Sequence, residues 1–479
     1  MKLVFDVEDR PKGGQLLAFG LQQMLAILAA TIAVPMIIGN GLTPSAAMFG
    51  AGIGTLVYLL FTKFKSPVFL GSSFAFIGSM FAAFAGASSM SLGWLGLILG
   101  AGFAGLVYVI LAIVVKGVGV KWIDKVMPAV VIGPTVAIIG LSLAGNAVGD
   151  LLKGDVVQSV TEYAVDVSSG TPQIIETAST QMVGSIFIAL LCGMVTLIVV
   201  MLCSVYGKKM VKLIPFIIGI LAGYAVAGVL TAIGNANNID ALKMTDFSVF
   251  SNYMLADGAV TVNTFLSVPA LICGDALASA GDLTGAYVAT IAVAYVPVAF
   301  VVFAEHLADH KNLSSIIERD LLKKPGLTRT LLGDGIGSVA GAFFGGAPNT
   351  TYGESIACVA LTGNASVLSI LVASLGCIVL SFVTPFVAFI DSIPACVMGG
   401  VCMALYGFIA VSGLKMVQKV DLEDNRNVYV VSIILIAGIG GLQLTIGAVT
   451  LTEIAVALLL GIFANFILSR KSKKKIDTV

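Results

Sequence analysis

Apolar runs of about 20 residues follow one another along nearly the whole chain, parted by short stretches of charge, glycine or proline. Wound as a helix, such a run reaches across a hydrocarbon layer of ~30 Å. Fourteen segments are predicted, at 15–39, 44–62, 67–88, 92–115, 126–146, 182–203, 211–234, 284–308, 331–347, 348–364, 365–389, 391–412, 427–444 and 447–468. The third and the tenth depart from the pattern. Pro67 precedes the run GSSFAF (Gly71 to Phe76), and Pro348 precedes NTTYGES (Asn349 to Ser355). Both interrupt an apolar chain with a hydroxyl pair, an aromatic residue and then a small one.

Seven segments lie on each side of residue ~240, and an odd number per half makes any repeat between the halves an inverted one. Polar breaks at matching positions of two halves point to the substrate site of a secondary transporter. Non-helical backbone at membrane depth must have its N–H and C=O groups satisfied by protein or by a wet cavity. Two short extended runs can do this by pairing with each other, and Ser, Thr, Phe and Tyr suit extended backbone. The helices that follow would then aim free N–H donors and a partial positive charge at the cavity. The alternative is a pair of ordinary Ser/Thr-rich helix contacts. That would explain either break alone, but not their matched positions.

Composition agrees with the pattern. With 58% hydrophobic and 11% charged residues, the chain falls far below the ~25% charge of a soluble domain. The net charge is zero, so it is the distribution that informs. With the N-terminus placed in the cytoplasm and the sides alternated through fourteen segments, every Lys and Arg except Lys153 and Lys243 falls inside. This predicts a multi-pass protein of the cytoplasmic membrane with both termini inside. The terminal RKSKKK serves as a topology anchor and contacts anionic lipid. The outer loop 147–181 is acidic and reads as a solvated surface; the outer loop 235–283 offers no function. No nucleic-acid partner and no cofactor is expected.

Ionisable residues in a span cost ~2.5–3.5 kcal/mol or more at mid-bilayer and are functional candidates for that reason. Glu305 and Asp309 lie four apart in VVFAEHLADHKN, on one helix face. Asp334 opens the ninth segment, where it serves a site or caps a helix. Glu354 follows the tenth-segment break. These four carboxylates can bind and couple a proton, with Glu305, Asp309 and Asp334 as candidates. His306 and His310, beside Lys311, read as interfacial rather than as metal ligands. The glycine strings at 50–54 and 335–341 read as close helix contacts, since no strand–turn–helix context surrounds them. Seven scattered cysteines form no CxxC pair. The absence of a Walker motif, and of a nucleophile–base pair in the spans, points away from ATP-driven transport and from an enzyme.

Glu305 within AEH, the stretch RDLLKKPGL, FFGGAPNTTYGES and GSSFAF together resemble the uracil permease branch of the nucleobase–ascorbate transporters. The resemblance runs from about residue 10 to 468. It implies an all-α polytopic protein of fourteen segments in a 7+7 inverted repeat, with short β-strands in the broken segments 3 and 10. It further implies a core domain (15–116 with 284–389) and a gate domain (126–234 with 391–468), through which two copies can pair. By matched motif, Phe74, Glu305, Tyr352, Gly353 and Glu354 would bind the base, and a proton would be co-transported. Departures mark specificity candidates: Ser355 stands where the family usually has Asn, and Gln23 where it has His. The uracil branch tends to carry His where this chain has Asp309, and Asp334 resembles purine-type members. Uracil is the substrate favoured by Glu354. The alternatives are a xanthine or urate permease and an anion exchanger on a related scaffold.

Overall fold

The computed structural model of the protein describes residues 3–120, 122, 127–166, 173–255, 258–446 and 449–470. Lys121, Lys125 and the basic tail from Lys471 lie outside them. Each predicted segment contains a helix. The first half holds α1 (Gly13–Ile38), α2 (Pro44–Phe61), α3 (Ile77–Ala85), α4 (Met90–Val118), α5 (Ala129–Ser142), α6 (Ile186–Tyr206) and α7 (Pro215–Asn237). The second holds α8 (Gly285–Ile316), α9 (Leu327–Phe343), α10 (Gly353–Thr362), α11 (Val367–Leu380), α12 (Ala395–Val417), α13 (Asn425–Ile439) and α14 (Glu453–Arg470). Eight helical stretches among the described residues are long and apolar enough to cross a membrane. The chain is a mostly helical, polytopic membrane protein.

Local chemistry sets several helix starts. The Thr43 side chain accepts from Ala46 N with Pro44 in the first turn, Ser89 accepts from Leu92 N, and Thr284 accepts from Tyr287 N. Two boundaries differ from the hydropathy reading and change what the carboxylates can do. Helix α8 continues through Lys311 to Ile316, so Asp309 and His310 lie inside the helix rather than at its end. Helix α9 starts at Leu327 after Gly326, so Asp334 is an interior residue and caps nothing. A charged residue ends a hydropathy window, yet its backbone hydrogen bonds continue unaffected.

The two breaks form short strands, β1 (Leu70–Ser72) and β4 (Asn349–Thr351), which pair antiparallel. Within the predicted loop 147–181, strands β2 (Val157–Asp166) and β3 (Gln173–Met182) pair as an antiparallel hairpin. A third ribbon joins β5 (Leu444–Ile446) to β6 (Val449–Leu451).

Internal contacts divide the chain into two units, Met1–Ala144 with Leu266–Val387 and Leu405–Val479, and Gly145–Phe265 with Ala388–Ala404. Within the first, α9 packs on α2 and α4 through the glycine strings. A Cβ on Gly50 would lie 2.6 Å from Gly341 O, and one on Gly337 would lie 2.6 Å from Gly54 O. Small residues here let backbones touch where lipid supplies no hydrophobic drive. Within the second unit, α6 and α7 meet in the same way at Gly219 and Gly223, against Val200 and Thr196.

The second unit also half-buries Asp155, whose Oδ1 accepts from Ala395 N at 3.0 Å. Burial pushes this carboxyl up to about 6, against the pull of the Ala395 bond, and Asp246 and Asp150 add to the rise. A folded-state value above the unfolded one gives stability that is full below the unfolded value near 4 and is lost as pH rises through 6. The variant Asp155→Asn keeps the acceptor oxygen and removes the titration. Relative to the parent it should gain stability between pH 4 and pH 8, by up to ~3 kcal/mol. Thermal unfolding in detergent across that range checks this; equal pH dependence of the two proteins would sink it.

Candidate functional site

The ribbon between β1 and β4 is the frame of the site. Its register pairs Leu70 with Thr351, Gly71 with Thr350 and Ser72 with Asn349. Backbone bonds extend it at both ends, Tyr352 N to Phe69 O at 3.1 Å and Ser73 N to Pro348 O at 2.9 Å. Side chains cover further backbone groups. The Thr55 hydroxyl accepts from Leu70 N (3.0 Å) and donates to Leu70 O (3.1 Å), while Ser355 Oγ accepts from Phe69 N at 3.3 Å. Tyr352 reaches across the ribbon and donates its hydroxyl to Ser72 O at 2.9 Å. Its ring lies over Gly71, where a Cβ would come within 2.4 Å, so the crossing requires glycine.

Past each strand the chain turns into a helix. Phe74–Phe76 makes one 3-10 turn before α3, and Tyr352 leads into α10 with Glu354 in its first turn. The first N–H groups of these helices have no helical acceptor and carry partial positive charge. A cavity of about 60 Å³ lies at this junction. All five residues predicted to bind substrate, Phe74, Glu305, Tyr352, Gly353 and Glu354, line it. Val136, Ile139 and Ile409 add apolar wall. The arrangement offers two carboxylates as acceptors, helix-end N–H groups as donors and the Phe74 ring, which meets Tyr406 edge-on at 5.8 Å.

The other predicted residues lie around this cavity rather than on it. Asp309 accepts from the Thr351 hydroxyl at 2.6 Å and so joins α8 to β4. Gln23 and Ser355 are buried and touch one another, with Gln23 Nε2 donating to Ser355 O at 3.4 Å. Ser355 thus props the ribbon from behind. Asp334 is 1% exposed and its Oδ2 lies 2.7 Å from His306 Nδ1.

His306 and His310 are not interfacial: both are fully buried, and their rings stack at 4.1 Å. Thr330 Oγ1 donates to Leu327 O, so His306 Nε2, 3.0 Å away, must donate to Thr330. One further proton then sits between His306 Nδ1 and Asp334 Oδ2, and the pair is neutral overall whichever atom holds it. His310 Nδ1 donates to His306 O at 2.8 Å, which leaves Nε2 to accept from a hydroxyl. Tyr58 OH lies 2.7 Å from that nitrogen and 2.7 Å from Ser66 Oγ. The four-residue spacing of the histidines was visible in the sequence; the adjacent Lys311 concealed that the helix keeps turning.

Residues 14–447 match the model of the permease family. The chain belongs to the permease family. It is 36% identical to the uracil permease of Bacillus caldolyticus over 98% of this chain and 95% of that one. Identity to the uracil permease of Bacillus subtilis (strain 168) is 33% over 100% and 98%, and to that of Escherichia coli (strain K12) 31% over 96% and 93%. Among solved structures, the transmembrane domain of the cyanobacterial bicarbonate transporter BicA has a similar fold. Its TM-score is 0.62 at 16% identity, covering 96% of this chain and 99% of that one. Murine Solute Carrier 26 family member A9, an anion transporter, gives 0.63 at 13%, covering 97% and 70%. At these identities the likeness is one of fold alone. This permease is a transporter and not an enzyme.

The His306–Asp334 pair gives a direct test. His306→Leu or Asp334→Leu alone strands a buried polar partner and should cost ~3–5 kcal/mol. The double variant should cost clearly less than the sum, because it removes both partners. Denaturant unfolding in detergent measures all three; strict additivity would contradict the pairing.

Proposed function

We propose that this permease is a proton-coupled nucleobase symporter that carries uracil into the cell by alternating access. The reading rests on one observation above all: Glu305 and Glu354 meet the ends of the β1–β4 ribbon at one small cavity. Uracil presents carbonyl acceptors and N–H donors in alternation. A carboxylate accepts from a ring N–H, helix-end amides donate to a carbonyl, and an aromatic ring packs on the flat face. In this reading Glu354 receives the ring N–H, while Glu305 both binds the base and couples the proton. Asp309 sits on the same face of α8 and couples to the strand through Thr351. The names of the relatives support the substrate class, and the carboxylates at the break argue for a neutral base over an anion.

The same proposal includes fourteen spans in an inverted 7+7 repeat. Core segments 1–4 and 8–11 move against gate segments 5–7 and 12–14. Both termini lie in the cytoplasm of a cell whose inner membrane holds the protein, and the gate pairs two copies.

Uptake into proteoliposomes with a radiolabelled nucleobase panel and an imposed pH gradient tests this. Uracil uptake should rise with an inward proton gradient, and excess xanthine should compete poorly. Glu354→Gln should lower uptake by ~10–100-fold, mainly through KM, which corresponds to losing one buried charge-assisted bond of ~1.5–3 kcal/mol. Glu305→Gln should abolish gradient-driven accumulation. Parent-level uptake by both variants would overturn the site; strong competition by xanthine would move the substrate to a purine; anion currents without base uptake would favour an exchanger.

A further inference from the structure

Behind the ribbon, four buried oxygens lack a hydrogen-bond partner among the described residues: Asp334 Oδ1, Asn349 Oδ1, Ser338 Oγ and Tyr108 OH. Their residues are at most 4% exposed. All four residues line one cavity of about 10 Å³, which Phe76 and Val302 also line and which is roomy enough for one water. They come from three elements: α4 supplies Tyr108, α9 supplies Asp334 and Ser338, and β4 supplies Asn349. Each left unsatisfied costs ~1–3 kcal/mol, so their convergence calls for a ligand.

The glycine strings fix which atoms face the cavity. The Asn349 amide nitrogen donates to Gly50 O at 3.2 Å. A Cβ on Gly54 or on Gly341 would meet this nitrogen at 2.2 or 2.4 Å. The NH2 end is therefore clamped between α2 and α9, and the carbonyl oxygen is the end left over. The other Asp334 oxygen is engaged by His306. The cavity thus presents two hydroxyl hydrogens seeking acceptors and two carbonyl-type oxygens seeking donors. A water molecule accepts two bonds and donates two. A bare cation would serve the two acceptor oxygens yet leave both hydroxyl hydrogens without acceptors.

We propose that Tyr108, Asp334, Ser338 and Asn349 bind one ordered water, which ties strand β4 to the His306–Asp334 pair. Tyr108 and Ser338 donate to it, and it donates to Asp334 Oδ1 and Asn349 Oδ1. The water extends a continuous polar chain from Asn349, paired with Ser72 in the ribbon, through Asp334 and His306 to Thr330. Any shift of β4 during transport then alters the hydrogen bonding of Asp334. Tyr108, Ser338 and Asn349 are positioning residues in this account, and it stands whichever substrate the permease carries.

A density map of the full-length protein at about 2 Å resolution should show one peak ~2.7–3.2 Å from all four oxygens. Tyr108→Phe and Ser338→Ala each remove one donor and keep the packing. Each should lower Tm in detergent, and the double variant should lose less than the sum, since the two hydroxyls share one partner. Replacing NaCl by choline chloride should leave Tm unchanged. An absent peak together with additive Tm losses would overturn the proposal. So would an NaCl-dependent Tm rise that Asp334→Asn removes, which would make the occupant a sodium ion.

Discussion

Backbone hydrogen bonding is the constraint on which the rest of this molecule depends. A helix satisfies its own N–H and C=O groups, so apolar helices present no difficulty in lipid, whereas six residues of strand do. The chain meets the demand at Leu70–Ser72 and Asn349–Thr351 by pairing them, and Thr55, Ser355 and Tyr352 cover further groups at the ribbon's β1 side. Opening a binding site inside a helical bundle requires broken helices. Broken helices require a ribbon, and the ribbon requires glycine at position 71 so that the Tyr352 ring can cross it. The polar residues of the two breaks thus divide between those that hold the ribbon, such as Tyr352 and Ser355, and those, such as Ser72 and Thr350, that line the cavity beside the helix ends and two carboxylates.

The polar interior behind that frame is arranged in pairs rather than as free charges. Asp309 holds Thr351, and Asp334 holds His306 with one proton between them. Removing a carboxylate from water costs several kcal/mol unless a partner and further bonds compensate. A pair that shares a proton at zero net charge avoids most of that cost. Glu305 and Glu354 differ in lining a cavity, where they face space that a ligand can fill. This division separates groups that hold α8, α9 and β4 together from groups left available to a ligand.

Much of this was legible in the sequence, and for a physical reason. Hydropathy records how each run partitions between water and lipid, so the apolar runs, the breaks after Pro67 and Pro348, and the carboxylates Glu305 and Glu354 stood out, whereas Phe74, Tyr352 and Gly353 were reached only through the family resemblance. What hydropathy cannot record is how far a helix continues past a charge. Lys311 closed the window on α8, which made His310 and Asp309 look peripheral; in fact the helix runs five residues beyond that lysine, to Ile316. The same limit placed Asp334 at a helix start when it lies well inside α9. The hairpin of β2 and β3 was hidden because its segment is polar and acidic, and polarity alone does not separate strand from loop. The glycine strings were read correctly as close contacts, but a one-dimensional pattern could not show that they clamp Asn349 between them.

Specificity in this framework need not come from residues that touch the substrate. Ser355 stands where the resemblance leads one to expect Asn; its hydroxyl accepts from Phe69 N and its carbonyl accepts from Gln23. An asparagine in its place would carry a longer side chain into a position with no exposed surface. Either the start of β1 or the first turn of α10 would have to shift by a few tenths of an ångström. Phe74 follows that strand and Glu354 stands in that turn, so the shift would pass directly into the cavity. Under the proposed function, the pair Gln23 and Ser355 would set the geometry in which Glu354 meets a ring N–H, and exchanging them would change the fit of a base without removing a single contact to it.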